Sequence, residues 1–163
     1  MVAVERARRL VLDVLDPELP LVTLGDLGIV RGVAVGGDGT VRVSVTPTYT
    51  GCPALAQICA DIRSALAREG FGDCEIDTVL SPAWTTDWIT EDGRRKLREH
   101  GIAPPGAAPR GPVPLQLSTR PPVQCPRCGG RDTAELSRFS AMACTSLHTC
   151  RSCQEPFDQL KAI

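Results

Sequence analysis

Half of the fourteen prolines in this chain fall between Pro104 and Pro122, and no other stretch restricts the architecture as much. Each proline removes a backbone donor and fixes φ at about −65°, so such a run belongs to neither a helix nor a sheet interior. It reads as a semi-rigid, extended linker. The expected organisation is an α+β unit over 1–103, a linker over 104–122 and a small β unit over 123–163.

The segment after the linker holds Cys125-Pro126-Arg127-Cys128-Gly129-Gly130 and Cys150-Arg151-Ser152-Cys153. A C-x-x-C turn aims two thiolates at one point, and two such turns supply a tetrahedral sulfur site. The 21 residues between Cys128 and Cys150 leave room for a hairpin. Cys125, Cys128, Cys150 and Cys153 are therefore the expected metal ligands, with structural zinc the default and a mononuclear iron site left open. His148 is a spare ligand, a weaker choice than Cys150, and Cys144 is read as packing or a surface thiol. So short a unit buries too little apolar area to fold unaided, so the metal supplies its folding energy. Phe139, Leu147 and Phe157 are expected to make its thin core.

In the first unit, Val2 to Leu15 carries Val4, Ala7, Val11 and Val14 on one helical face. The Asp16-Pro17-Glu18-Leu19-Pro20 segment cannot continue that helix. A strand follows at about Ile29 to Val35, then a Gly36-Gly37-Asp38-Gly39 turn, then Thr40 to Thr46 with Val41, Val43 and Val45 on one face. These two strands predict a hairpin. Leu55, Ile58, Cys59, Ile62 and Leu66 form one helical stripe. A third strand over Asp73 to Leu80 and a short helix over Thr90 to His100 complete a small three-stranded sheet with covering helices. Trp84 and Trp88 are read as anchors of that last helix.

Pro47-Thr48-Tyr49-Thr50-Gly51-Cys52-Pro53 joins the second strand to the second helix. Pro53 suits a first helical position, which puts Cys52 at or beside the N-cap. Free amides and the helix dipole there favour a thiolate, making Cys52 a candidate nucleophile or metal ligand, with a small apolar residue in a tight turn as the other reading. Asp16, Glu18 and Asp26 are candidates to gather beside it. Cys59 is read as core. The separation of Cys52 and Cys59, about 10 Å along a helix, is too long for a disulfide and argues against a thiol oxidoreductase.

A formal charge of −1 with interspersed signs gives no global basic field for nucleic acid or anionic membrane. Within 123–163 the basic residues exceed the acidic ones by only one, too few to track phosphates. A nucleic-acid-binding or protein-interaction ribbon is the alternative reading. No apolar run is long enough to span a membrane and no signal peptide is evident, so the expected compartment is the cytoplasm.

Asp16-Pro17-Glu18-Leu19-Pro20, Asp26-Leu27-Gly28-Ile29-Val30 and Thr50-Gly51-Cys52-Pro53 together resemble the small domain family of SufT and the cytosolic iron–sulfur targeting factors. Ser81-Pro82-Ala83-Trp84-Thr85-Thr86-Asp87-Trp88-Ile89, Gly93 to Glu99, and the cysteine pairs with Glu155-Pro156-Phe157 extend the likeness. Over nearly its full length the chain resembles the D-type subunits of the phenylacetyl-CoA epoxidase system. The resemblance implies a non-catalytic accessory role in aerobic phenylacetate degradation, assisting iron or iron–sulfur maturation, with oxygenase or reductase subunits as partners and a homo-oligomer left open. It carries Cys52 over as the thiol that transiently holds iron or a cluster, with Asp16, Glu18, Thr50 and Gly51 as the supporting loop. The sequence agrees in lacking both paired E-x-x-H motifs and a Gly-rich dinucleotide fingerprint.

Overall fold

The computed structural model describes residues 2–49, 51–108 and 122–162. Thr50 and most of the expected linker, 109–121, lie outside them. The chain forms two compact units, Met1–Gly93 and Arg94–Ile163.

In the first unit, α1 (Val2–Leu12) buries Ala7 and Val11, one turn apart on the same face. Antiparallel β1 (Val30–Val35) and β2 (Val41–Val45) form the expected hairpin, with Val33 opposite Val43. Gly39 at φ +84° supplies the left-handed residue its turn requires. After α2 (Leu55–Arg68) the chain returns as β3 (Cys74–Thr78), parallel to β2 with Val43 opposite Ile76. A parallel return needs a crossover, and α2 is that crossover.

β2 is the central strand of the order β1-β2-β3. Its Val41, Val43 and Val45 are fully buried, as are Ile62 and Leu66 of α2. Each such side chain contributes roughly 1.5–3 kcal/mol on burial. The alternate face is wet, and Arg42 reaches Glu75 of β3 at 2.9 Å. Cys59, expected in the core, is half-buried on the flank of the helix.

The segment after β3 is tied back to the first unit by Trp84, which is buried and donates from Nε1 to the Leu27 carbonyl at 2.8 Å. A 3-10 turn at Thr86–Trp88 follows, started by the Thr85 hydroxyl, which accepts from the Asp87 amide. Arg31 lies over the Trp88 ring at 3.7 Å. Both tryptophans thus anchor this segment as expected. α3 (Glu91–Glu99) then carries the chain into the second unit.

The second unit is a four-stranded sheet of order β4-β7-β6-β5, built from β4 (Ile102–Ala103), β5 (Thr133–Ser137), β6 (Thr145–Cys150) and β7 (Pro156–Leu160). β5–β6 and β6–β7 are antiparallel hairpins, while β4 pairs in parallel with β7 through Ile102 opposite Asp158. Residues ahead of the prolines therefore form an edge of this sheet. The units divide at Gly93/Arg94, and Ile102 and Ala103 find their backbone partners on β7.

The ribbon core holds Ala103, Cys125, Cys150 and Phe157, with Val123 and Cys153 against it. Phe139, expected there, is 67% exposed, with the Lys161 ammonium 4.1 Å from its ring centre. Its place is taken by His148, which stacks on Phe157 at 5.6 Å.

Candidate metal sites

The end of β2 sets up the first site. Thr46 donates its amide to the Ile29 carbonyl, and the chain then turns through Gly51, whose φ of +86° excludes most side chains. The Cys52 amide donates to the Tyr49 carbonyl, and the Leu55 amide donates to the Cys52 carbonyl. The N-cap of α2 is Ala54, which has no side-chain capping bond. Cys52 therefore stands in the loop just ahead of the cap, not on it, because Pro53 and Ala54 form a turn before the ladder begins.

The Cys52 sulfur is half-buried, with the Ala54 and Leu55 amides on the side that lowers its affinity for a proton. These amides favour a thiolate, as the sequence implied. Burial outweighs them, and Glu18 and Asp16 add their negative field, so the thiol is pushed up from its usual value. Burial and the two acidic residues thus work against the ionised thiol expected from the sequence.

Asp16 is buried, and its Oδ1 accepts from the Glu18 and Leu19 amides at 2.9 and 2.8 Å. Burial raises its carboxyl above the ordinary range while the two amides pull it back. Those bonds also fix the Asp16–Leu19 turn and with it the backbone position of Glu18. Asp26 is used elsewhere: its carboxylate accepts from the Thr23 amide at 2.9 Å, and its carbonyl accepts from the Thr90 amide at 2.8 Å. Of the named supporting residues, Asp16, Glu18 and Gly51 fall within the described structure, and Thr50 does not.

The second site is the Cys125, Cys128, Cys150 and Cys153 group, whose sulfurs all lie within 4.8 Å of one another. Cys125 is 3.8 Å from Cys153, and Cys128 is 3.5 Å from Cys150. A tetrahedral ion with metal–sulfur bonds of roughly 2.3 Å requires sulfur–sulfur edges of about 3.8 Å, so the cage fits zinc.

The two knuckles are built alike. The first cysteine amide donates to the carbonyl five residues on, from Cys125 to Gly130 and from Cys150 to Glu155. The residue four positions on is left-handed in both, Gly129 at φ +73° and Gln154 at φ +62°. The first knuckle shows this need in its sequence as Gly129; the second hides it in a glutamine. His148 is buried and shares a hydrogen bond between Nε2 and the Ser146 hydroxyl at 3.0 Å. It is core, and the four cysteines form the metal group without it. Cys144 is half-buried and also outside that group.

Comparison with known proteins finds a family for each unit. Residues 5–78 match the family model described as "Iron-sulfur cluster assembly protein", and residues 109–161 match the "PaaD zinc beta ribbon domain". A protein of Escherichia coli (strain K12), provisionally named as the D component of 1,2-phenylacetyl-CoA epoxidase, is 46% identical over 91% of this chain and 86% of its own length. An Fe-S protein maturation auxiliary factor of Porphyromonas gingivalis is 37% identical over 55% of this chain and 85% of its own length. The auxiliary factor SufT of Staphylococcus aureus is 37% identical over 47% of this chain and 88% of its own. A crystal structure from Bacillus anthracis of a domain of unknown function superposes with a TM-score of 0.55 at 24% identity, over 59% of this chain and 92% of that one, which shows the shared fold.

Proposed function

The chain belongs to the PaaD-like family, an iron–sulfur-assembly domain joined to a zinc ribbon with a four-cysteine metal site, and from that membership we propose that it is a non-catalytic accessory component of a phenylacetyl-CoA epoxidase system. Its first unit receives iron, as an ion or a cluster, at Cys52 and passes it to an oxygenase or reductase subunit. Its ribbon holds zinc as a structural metal and offers the surface that meets the partner.

One observation carries this reading. Cys52 is a half-exposed thiol with two amides at its sulfur and two carboxylates near enough to raise its affinity for a proton. A cation arriving there replaces that proton and removes the electrostatic penalty, so the field that disfavours a bare thiolate favours a metal-bound one. Cys52 supplies the sulfur donor, and the negative field of Asp16 and Glu18 favours an arriving cation.

A cluster needs about four protein ligands. One sulfur leaves its shell open, so the remaining ligands come from a client protein or a second copy of the chain. An open shell is what permits release.

The test is reconstitution of the epoxidase system with the Cys52→Ala chain. The variant is expected to fold with an unchanged melting temperature, to keep its ribbon metal, and to leave the epoxidase inactive. Full epoxidase activity with Cys52→Ala would reject the role given to this thiol.

A further inference from the structure

The four cysteines of the ribbon are not equivalent. Cys125 and Cys150 are shut in, at 1% and 0% exposure, whereas Cys153 is half-buried and Cys128 is exposed. The exposed sulfur also accepts a hydrogen bond from the Gly130 amide at 3.4 Å, which fixes its position. The buried Cys150 sulfur lies 3.5 Å away. A reagent in solution thus meets Cys128 most readily, and its sulfur lies beside that of Cys150, which solvent does not reach.

We propose that Cys128 is the oxidation site of the ribbon, where a peroxide is reduced and the oxidised sulfur closes on Cys150. The Cys128 thiolate attacks one peroxide oxygen; the O–O bond breaks, hydroxide leaves, and the sulfur becomes a sulfenic acid, two electrons having passed to the peroxide. The Cys150 sulfur then attacks the Cys128 sulfur, the S–O bond breaks, a second hydroxide leaves, and an S–S bond forms. Two thiolates, one peroxide and two protons give one disulfide and two waters. Cys128 reacts first because its sulfur is the most open of the four to the oxidant; Cys150 reacts second because it is adjacent and buried.

The consequence is structural. Once Cys128 and Cys150 are bonded to each other, only Cys125 and Cys153 remain as ligands, too few for a closed tetrahedral site. Because metal binding supplies the folding energy of so small a unit, one oxidation unlocks the ribbon. Oxidant level would then set how much of the chain can meet its partners. This inference concerns the ribbon alone and does not depend on iron at Cys52.

The test uses the full-length, zinc-loaded chain and hydrogen peroxide. Released zinc is followed with a chromogenic indicator, while sulfenic acids are trapped with a cyclic 1,3-dione and disulfides located by peptide mapping. The first ribbon adduct is expected on Cys128, the ribbon disulfide between Cys128 and Cys150, and zinc release in step with that disulfide. Alkylation of the unoxidised chain with iodoacetamide is expected to label Cys128 about tenfold faster than Cys150. First adducts on Cys125, Cys150 or Cys153, or zinc release while Cys128 stays reduced, would overturn the proposal. All of these readouts come from the unmutated protein, so they stand whether or not Cys128→Ser retains zinc.

Discussion

At the scale of single residues, the account turns on the charge state of Cys52. Its loop position and the amides of the following turn could be read from Gly51-Cys52-Pro53 and the stripe that follows. Its charge could not, because the opposing terms come from burial and from Asp16 and Glu18, over thirty residues earlier in the chain, which only the fold brings near. Burial and the carboxylates raise the Cys52 thiol above its ordinary value of 9.0. In chelator-treated protein, the pH profile of Cys52 alkylation should therefore have its midpoint above 9.0, and Glu18→Gln should move it down by removing one negative charge. Asp16 carries a stability prediction of definite sign. Its folded carboxyl titrates above 3.8, so the stability linked to its protonated form is complete below that value and is lost as pH rises through the folded value. Asp16→Asn keeps the acceptor for the Glu18 and Leu19 amides and cannot ionise. Measured by urea unfolding, its stability relative to the unmutated chain should rise between about pH 3 and pH 7.

At the scale of elements, periodicity made the first unit legible. The alternation of Val41, Val43 and Val45 and the Leu55 to Leu66 stripe gave β2 and α2, and both meet in the core. β4 was not legible, because a two-residue strand has no period and exists only through its bonds to β7. The placement of Phe139 failed for a related reason: β5 is an edge strand with a bulge between Glu135 and Ser137, and the hairpin loop beyond it carries Phe139 outward. Two substitutions probe backbone demands. At Gly28, φ is +68° and an added Cβ would lie 2.6 Å from the Trp88 carbonyl oxygen; Gly28→Ala should destabilise the first unit by about 1–3 kcal/mol in chemical unfolding. Gln154 occupies the left-handed place that Gly129 fills in the other knuckle. Gln154→Gly should stabilise the metal-loaded ribbon by about 0.5–1 kcal/mol, the relief of left-handed strain exceeding the added chain entropy.

At the scale of the whole molecule, an iron–sulfur-assembly domain is joined to a ribbon with a four-cysteine metal site, and the two should respond separately. Both tryptophans, Trp84 and Trp88, lie in Met1–Gly93, and all four ribbon ligands lie in Arg94–Ile163. Strong chelation should abolish the ribbon's circular-dichroism signal while leaving tryptophan emission near its native wavelength; a red-shifted emission on chelation would show that the first unit depends on the ribbon metal. The strand that Ile102 and Ala103 form was not legible in the prolines that follow, since it depends on their pairing with β7. The most direct test of the central claim is metal analysis of anaerobically iron-reconstituted, zinc-loaded chains with and without Cys52→Ala. The account predicts that the variant keeps its zinc and loses its iron; equal iron in both chains would contradict it.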